Sequence, residues 1–511
     1  MAQVWTVVSA VVIAFSGNFL RQATFVWFCV TVVGLMVRRE HLGVTSCIRA
    51  LELEGKLYPA YIHLFRSFAW RLTSLSQKWV DIVAQNAPLL EYNGHVIALI
   101  DGCKGSKEGR FMPGTQKIRQ DSETQTKAEY IFGNLFGALV LVASRGGSMC
   151  NIVAVPVLIT LQLGISHMLK WLDEKQELTA NDVKKRDIVK RAIDDIGLTA
   201  ETHAQQMFRN ACITASILKK DMYLIGDRLF LSRYGLIVLA EYNTAHTNKI
   251  QFITRCRRSN VAYHMPPPKD PHKKGAPRKK GTPVKLGNQF TNKQLDWKKE
   301  KISMYGVEQN VTYAVLDLLW GPGLFQMLRF VLVQYADKKT ILVSTDLELT
   351  GRQIIELYCL RARIETSFRE FKQVIGGFAY HFWTRAMPKL NHFRKSSDSD
   401  PLDTVTSWDR RVRIVMTVRA IDFFALTACI ALGIIQMISV TCDFSKDDFR
   451  WQRTPVNLDR PSEANVKDYL QRSIRQYLLE SVQTELGQLI MKRLQPEKLE
   501  RILSDLGSDI A

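Results

Sequence analysis

The sequence predicts an α/β protein: a mixed sheet with flanking helices, interrupted by a β-rich insertion and bracketed by helical N- and C-terminal regions. Three observations predict it. Short apolar runs ending in Asp or Gly punctuate the first half, at His95–Gly102 and Met222–Arg228. Segments with helical spacing separate such runs, so strands and helices alternate. A stretch rich in Pro, Gly and basic charge, Pro266–Gly281, then divides that pattern from a second set of strand-like runs.

The elements follow in order. Residues 1–93 read as helical from the recurrence of apolar residues at helical spacing. Within them Val44–Ser67 reads as two short helices around Glu54-Gly-Lys-Leu-Tyr-Pro59. That pattern suits a DNA-binding helix-turn-helix and equally an ordinary helix pair. His95–Gly102 reads as a strand ending at Asp101, and Tyr130–Ala143 and Asn151–Leu161 as two more, with a turn at Ser144–Ser148. Three strands with close turns predict an antiparallel meander. Residues 178–220 are helical, Met222–Arg228 is a strand ending at Asp227, Ser232–Asn243 a helix and Lys249–Arg255 a strand. The order β-β-β-α-β-α-β, with a long helix still to come, requires a mixed sheet covered by helices.

Residues 257–300 lack the apolar content for a core and are expected as an exposed loop or arm. After them Val311–Trp320, Phe330–Tyr335 and Thr340–Thr345 read as strands, which makes 257–350 a basic, β-rich insertion. Gln353–Gln373 reads as one helix capped by the Thr350–Gln353 turn, and the tail as amphipathic helices over Asn465–Leu494 and Pro496–Leu506. Five regions result: a helical N-terminal region, 1–93; a core in two parts, 94–256 and 351–440; the insertion, 257–350; and a helical C-terminal region, 441–511.

Composition narrows the function. A chain of 511 residues forms about two to four units of ordinary domain size. With 46% hydrophobic and 23% charged residues it folds rather than staying disordered. Lys and Arg number 69 against 49 Asp and Glu, a formal charge of +20. Such an excess attracts polyanions, either nucleic-acid phosphates or an anionic membrane surface. The nine cysteines are scattered and contain no C-x-x-C, which excludes a disulfide framework and a structural zinc site. They read as buried thiols of a reducing, cytoplasmic compartment. The apolar runs Val4–Phe15 and Ala23–Val37 fall short of the roughly 20 residues of a membrane span. Phe423–Val440 is nearer that length, but Arg419 and Asp422 precede it, and it suits a buried core helix. No membrane association is expected.

Three acids stand where a metal site can form. Asp101 and Asp227 end strands, and Glu365 lies in the long helix. Carboxylates at the ends of adjacent strands, met by a third from a helix, suit hard divalent cations that keep positions open for water and phosphate oxygens. Taken singly, each has a plainer reading: Asp as a turn former, Glu as a solvated or ion-paired helix residue. The helix around Glu365 changes the balance. Tyr358, Arg361, Glu365, Phe368 and Lys372 recur at steps of three and four, so they share one face. Arg361 is placed to orient the Glu365 carboxylate and Lys372 to meet a phosphate. Ion pairs Arg361–Glu365 and Glu365–Arg369 would explain the charges but not the tyrosine.

The pattern Tyr-x2-Arg-x3-Glu-x6-Lys, met by Tyr358, Arg361, Glu365 and Lys372, resembles the signature of the IS4-type bacterial insertion-sequence transposases, the DDE type. Flanking text agrees. Asp101-Gly-Cys-Lys104, with Lys107 and Gly109, resembles the block around the first Asp, Gly226-Asp-Arg-Leu-Phe230 the second, and Ser344-Thr-Asp-Leu the lead into the Glu helix. The intervals of 126 and 138 residues leave room for an insertion before the Glu helix, and the resemblance covers roughly residues 20–440. It implies a ribonuclease-H-like core, Mg²⁺ or Mn²⁺ as cofactor with two ions, and strand cleavage and transfer at insertion-sequence ends. It implies Asp101, Asp227 and Glu365 as the catalytic and metal-holding acids, and Tyr358, Arg361 and Lys372 as contacts to the DNA backbone. Partners would be transposon ends and target DNA, in a homodimer or larger synaptic complex within the bacterial cytoplasm, at the nucleoid. In one departure, Ala362 stands where many relatives carry Trp after the Arg.

The insertion adds candidates for DNA contact. Trp297 is a ring on which a flipped base can stack. The arm holds Lys273, Lys274, Arg278, Lys279 and Lys280, together with Arg255, Arg257 and Arg258, and flexible basic segments follow phosphates. Three alternatives stand beside this reading: a catalytically inactive, transposase-derived DNA-binding protein; a ribonuclease or recombination nuclease on the same fold; and a membrane protein.

Overall fold

The computed structural model describes residues 2–120, 128–147, 149, 151–162, 164–174, 178–269, 272, 275–394, 398–450, 452, 454–480 and 484–494. The N-terminal region is helical: α1 (Ala2–Ile13), α2 (Gln22–Val37), α3 (Thr45–Ala50), α4 (Tyr58–Leu64) and α5 (Leu72–Asn86). Helices α3 and α4 are the short pair expected around Gly55. Helix α2 is buried on all sides from Thr24 to Val37, as a helix apolar around its whole circumference must be.

The strands and helices of the core follow: β1 (Glu91–Tyr92), β2 (His95–Ser106), β3 (Gln116–Arg119), β4 (Tyr130–Ser144), β5 (Ile152–Leu161), α6 (Lys170–Asp173), α7 (Ala180–Asp195), α8 (His203–Leu218), β6 (Met222–Gly226), α9 (Arg233–Ala245) and β7 (Ile250–Cys256). Six more strands complete the sheet: β8 (Val261–Tyr263), β9 (Pro283–Lys285), β10 (Lys298–Met304), β11 (Val307–Trp320), β12 (Gln326–Tyr335) and β13 (Lys338–Ser344). The rest is helical: α10 (Gly351–Cys359), α11 (Ala362–Glu370), α12 (Trp408–Thr441), α13 (Glu463–Glu480) and α14 (Glu485–Met491). The helix expected over 496–506 lies outside the described residues.

Among the described residues thirteen strands form one open mixed sheet, ordered β3-β4-β2-β6-β7-β13-β12-β11-β8-β9, with β1 on β2, β5 on β4 and β10 on β11. Strands β2, β4 and β5 are antiparallel, β2, β6 and β7 run parallel, and β13 returns antiparallel beside β7. The expected α/β alternation is therefore present. The meander is looser than expected: residues 107–129, with β3 among them, connect β2 to β4, and only the β4–β5 turn is tight. Gly146 and Gly147 adopt φ of 66° and 71° there, a conformation costly for any residue with a Cβ.

Alternation along the strands divides the apolar residues between two faces. Val96, Ala98 and Ile100 join the large core under α5, α8 and α12, whereas Ile97, Leu99, Tyr223, Ile225 and Ile253 join a smaller core under α10 and α11. Helix α12 is long and apolar enough to cross a bilayer by length and composition, and its apolar stretch is wholly buried within the fold.

Two expectations need correction. Asp101 does not end its strand. Parallel pairing of β2 with β6 stops at Ile100–Gly226, but antiparallel pairing with β4 continues to Ser106, so the polar stretch after the apolar run is still a ladder. The helix expected over 353–373 is broken. Helix α10 ends at Cys359, α11 starts at Ala362, and Phe371–Ile375 is π-helical. Short-range bonds, Arg361 N–H to Tyr358 O (3.1 Å) and Arg363 N–H to Leu360 O (2.9 Å), tighten the break. Helix α10 lies over the insertion strands and α11 over β2 and β5, and a twisted sheet does not offer one straight bed for both.

A buried carboxyl in α12 yields a pH prediction. Asp422 accepts the Leu161 N–H at 2.8 Å, and burial pushes its carboxyl up to about 7. An unfolded Asp titrates near ~3.9, so the folded chain holds this proton more tightly. Its stabilising contribution is complete below the unfolded value and is lost as pH rises through about 7. Asp422→Asn keeps the acceptor oxygen without the charge. Its melting temperature relative to the parent chain should rise from pH 5 to about 7 and level off above that; a difference constant across that range would refute the assignment.

Candidate active site

Asp101 lies two residues after Leu99, Asp227 two after Ile225, and Arg255 two after Ile253. Period-2 alternation therefore aims all three side chains at the face covered by α10 and α11. Because Ile100 is level with Gly226 in the parallel pair, the next residues, Asp101 on β2 and Asp227 just past the end of β6, follow neighbouring positions. Arg361, at the break between α10 and α11, reaches down to them. Its Nη2 lies 2.6 Å from Asp101 Oδ2, and its Nη1 2.8 Å from Glu365 Oε1. Arg255, on β7, contacts Asp227 Oδ1 at 3.2 Å. Arg361 thus bridges Asp101 and Glu365, while Arg255 holds Asp227.

Burial and charge act against each other in this cluster. Burial pushes the Asp101 carboxyl up, and Arg361 and the Gly102 N–H only partly offset it. Burial also pushes Asp227 up, but the Arg228 N–H and the guanidinium groups of Arg361 and Arg255 outweigh it and hold the carboxyl below its usual range. For Arg361, burial opposes the charge, while the carboxylates of Asp101, Asp227 and Glu365 reinforce it. Glu365 differs from the two aspartates in being largely open to solvent, with 63% of its side chain exposed.

Among the described residues no three His, Cys, Asp or Glu side chains are gathered into a metal-holding set. The donor chemistry nevertheless fits a hard divalent cation: one carboxylate on β2, one just past the end of β6, and a third joined to Asp101 through one guanidinium.

Other residues singled out in the sequence fall into three groups. Tyr358 is buried at the end of α10, its hydroxyl pushed up by burial and within the electrostatic reach of Arg255, Arg361 and Asp227. Lys372 is exposed in the π-helical turn, its Nζ 5.9 Å from the Phe378 ring. Arg369 pairs with Glu370 rather than Glu365. Trp297 precedes β10, half-buried, donating its indole N–H to Asn292 O (3.0 Å) with its ring 6.4 Å from Phe290. Arg278, Lys279 and Lys280 are exposed between β8 and β9, and Lys280 Nζ lies 4.2 Å over the Tyr263 ring. Lys273 and Lys274 lie outside the described residues.

Two residues of the site escaped the sequence reading. Arg255 was grouped with the basic arm, although its place at the end of an alternating strand marks it as inward-facing. Tyr305 sits in the β10–β11 hairpin with φ of 55°, followed by Gly306 at 83°. A Tyr-Gly pair between two alternating runs is the signal for such a turn. Arg255, Tyr305, Tyr335, Lys338 and Tyr358 line a cleft of about 300 Å³ beside Asp227, and burial pushes the Tyr305 hydroxyl up to about 12.

No curated protein and no solved structure matches the chain. Residues 195–385, however, match the family described as the transposase DDE domain. That span contains Asp227, Arg255, Tyr358, Arg361 and Glu365, and begins after Asp101, which Arg361 ties to it. Over these residues the chain is similar to the transposase DDE domain, and the match supports a DDE transposase.

Proposed function

We propose that the chain is an IS4-type transposase that binds insertion-sequence ends and cleaves and transfers DNA strands through Asp101, Asp227 and Glu365. The observation that carries this reading is the double ion pair of Arg361, which brings a strand carboxylate and a helix carboxylate 264 residues apart in sequence into one cluster beside Asp227. The strand pattern, three antiparallel followed by two parallel with helices between, supports a ribonuclease-H-like core.

Asp101, Asp227 and Glu365 would hold Mg²⁺ or Mn²⁺, which supplies charge neutralisation at the attacking and leaving oxygens of a phosphoryl transfer. This chain's own groups do the rest. Arg361 and Arg255 favour the ionised form of Asp227, and Arg361 offsets part of the burial of Asp101. Tyr358 and Lys372 position a phosphate, and such a reaction needs positioning and charge more than a nucleophilic side chain. The basic insertion contributes affinity rather than sequence choice. A synaptic complex of at least two chains at the bacterial nucleoid completes the proposal.

The test is a cleavage assay with the full chain and a plasmid carrying the DNA that flanks its own coding sequence. Strand breaks at the element's ends that require Mg²⁺ or Mn²⁺ and vanish with chelator are expected. DNA left intact under every divalent condition would overturn the proposal in favour of an inactive DNA-binding relative.

A further inference from the structure

Past the carboxylate site, strand β2 continues to Ser106 and leads to a second surface. The loop that follows it is fastened to the segment 376–394. Lys107 Nζ donates to the carbonyls of Phe378 and Tyr380, the latter at 2.7 Å, and lies 3.8 Å over the Tyr380 ring. Thr384 N–H donates to Phe111 O (3.0 Å) and Leu390 N–H to Arg110 O (2.8 Å). From α12, Arg410 donates to Ala386 O at 2.9 Å. These bonds fix both segments as one surface.

Three large rings nevertheless stand out from it. Phe111 is 37% exposed, Trp383 55% and Phe393 84%. Apolar side chains grouped in the open mark an interaction site more often than isolated ones do. The surrounding charge is mostly positive. From Phe371 to Ser397 there is no Asp or Glu, while Lys372, Arg385, Lys389 and Arg394 are present. From Gly102 to Gln120 Glu108 is the lone acid, against Lys104, Lys107, Arg110, Lys117 and Arg119. Lys107 is consumed internally and Arg394 is shared with Asp400 at 3.6 Å. Arg110, Arg385 and Lys389 are exposed beside the rings.

We propose that this face binds unpaired, single-stranded DNA leading away from the carboxylate site. Bases would stack on Trp383, Phe393 and Phe111, and phosphates would meet Arg110, Arg385 and Lys389. The chemistry selects this occupant. Cations alone would serve a duplex, whose base faces are hidden, and the rings would gain nothing. A purely apolar partner would be repelled by the desolvation of so many cations. Rings interleaved with cations match a strand whose bases and phosphates are both available, and such stacking tolerates any sequence. This inference rests on the transposase reading for its biological setting but is tested without cleavage.

The experiment measures fluorescence anisotropy with the full chain and chelator, using labelled oligo-dT of about 20 nucleotides, longer than one stacking platform spans, and a hairpin duplex. The double variant Trp383→Ala/Phe393→Ala removes only exposed rings, so folding should be retained. It should weaken oligo-dT binding roughly tenfold or more while changing duplex binding less than about twofold. The variant Arg385→Glu/Lys389→Glu should weaken both ligands and flatten the salt dependence. Oligo-dT affinity equal to the parent chain in the aromatic variant, or an equal loss for both ligands, would overturn the proposal. If the selective loss is seen but no divalent-dependent cleavage occurs, the transposase reading fails and this surface stands.

Discussion

Glu365→Gln should leave the protein folded and able to bind DNA, and should reduce divalent-dependent strand cleavage by about 10³-fold or more, the upper scale on which single charge-stabilising groups act. The folding part follows from exposure. The side chain is 63% open to solvent and, among the described residues, pairs with Arg361, and exposed pairs contribute little to stability. The binding part follows because the basic insertion is untouched. The catalytic part follows from the carboxylate count: an amide is a poor ligand for a hard cation, and only Asp101 and Asp227 would remain. Thermal melting, anisotropy and nicking on one preparation separate the three statements. Parental nicking rates in a folded variant would remove Glu365 from the mechanism. Arg361 adds a contrast, since it bonds both Asp101 and Glu365. Replacing it with Gln should cost stability as well as cleavage, because Asp101 is then left buried with the Gly102 N–H alone among its close favourable partners.

The second large effect concerns the fold. Asp195→Ala should destabilise the chain by about 3–5 kcal/mol, the cost of stranding one member of a buried ion pair. Arg419, in α12, is fully buried and pairs with Asp195 at the end of α7. It also donates to Ser67 O and Trp70 O, each at 2.7 Å, and lies 3.6 Å over the Trp70 ring. The second oxygen of Asp195 accepts the Leu72 N–H at 2.8 Å, at the start of α5. One carboxylate therefore joins three helices. Loss of it leaves a guanidinium with carbonyl partners but no counter-charge. A chemical-denaturation midpoint unchanged in Asp195→Ala would contradict this; a double change, Asp195→Leu with Arg419→Met, should recover much of the loss, since paired burial of charge brings little net stability.

The sequence made the strands of the core legible because alternation and chain punctuation are local. His95–Gly102 lies within β2, Met222–Arg228 overlaps β6, which stops at Gly226, and Lys249–Arg255 overlaps β7 from Ile250; Ser232 caps α9 through Gly235 N–H. The face on which Asp101 and Asp227 lie was also implicit in the alternation, since each follows an apolar residue of the smaller core by two positions. What was not legible depended on distant partners. The continuation of β2 beyond Asp101 requires β4 to be in place, and a polar stretch such as Lys104–Ser106 gives no apolar signal. The break after Cys359 comes from the two beds on which α10 and α11 lie, not from a Pro or Gly. Strand β10, Lys298–Met304, carries so much charge that only Ile302 and Met304, both buried, betray it. Arg255 sits beside a basic arm in sequence, and its inward register shows itself only once β7 is paired.

The pairing of β13 with β7, from Ser344–Ile253 to Ile341–Cys256, has a consequence for how such a protein can be cut down or rebuilt. Residues 257–350 are not a removable cassette. Excising them would strip β7 of its neighbour and leave a row of unsatisfied amides and carbonyls along Ile253–Cys256, which is a template for intermolecular association. A minimal catalytic fragment of this chain must therefore retain at least β12 and β13, however dispensable the loop between β8 and β9 proves to be.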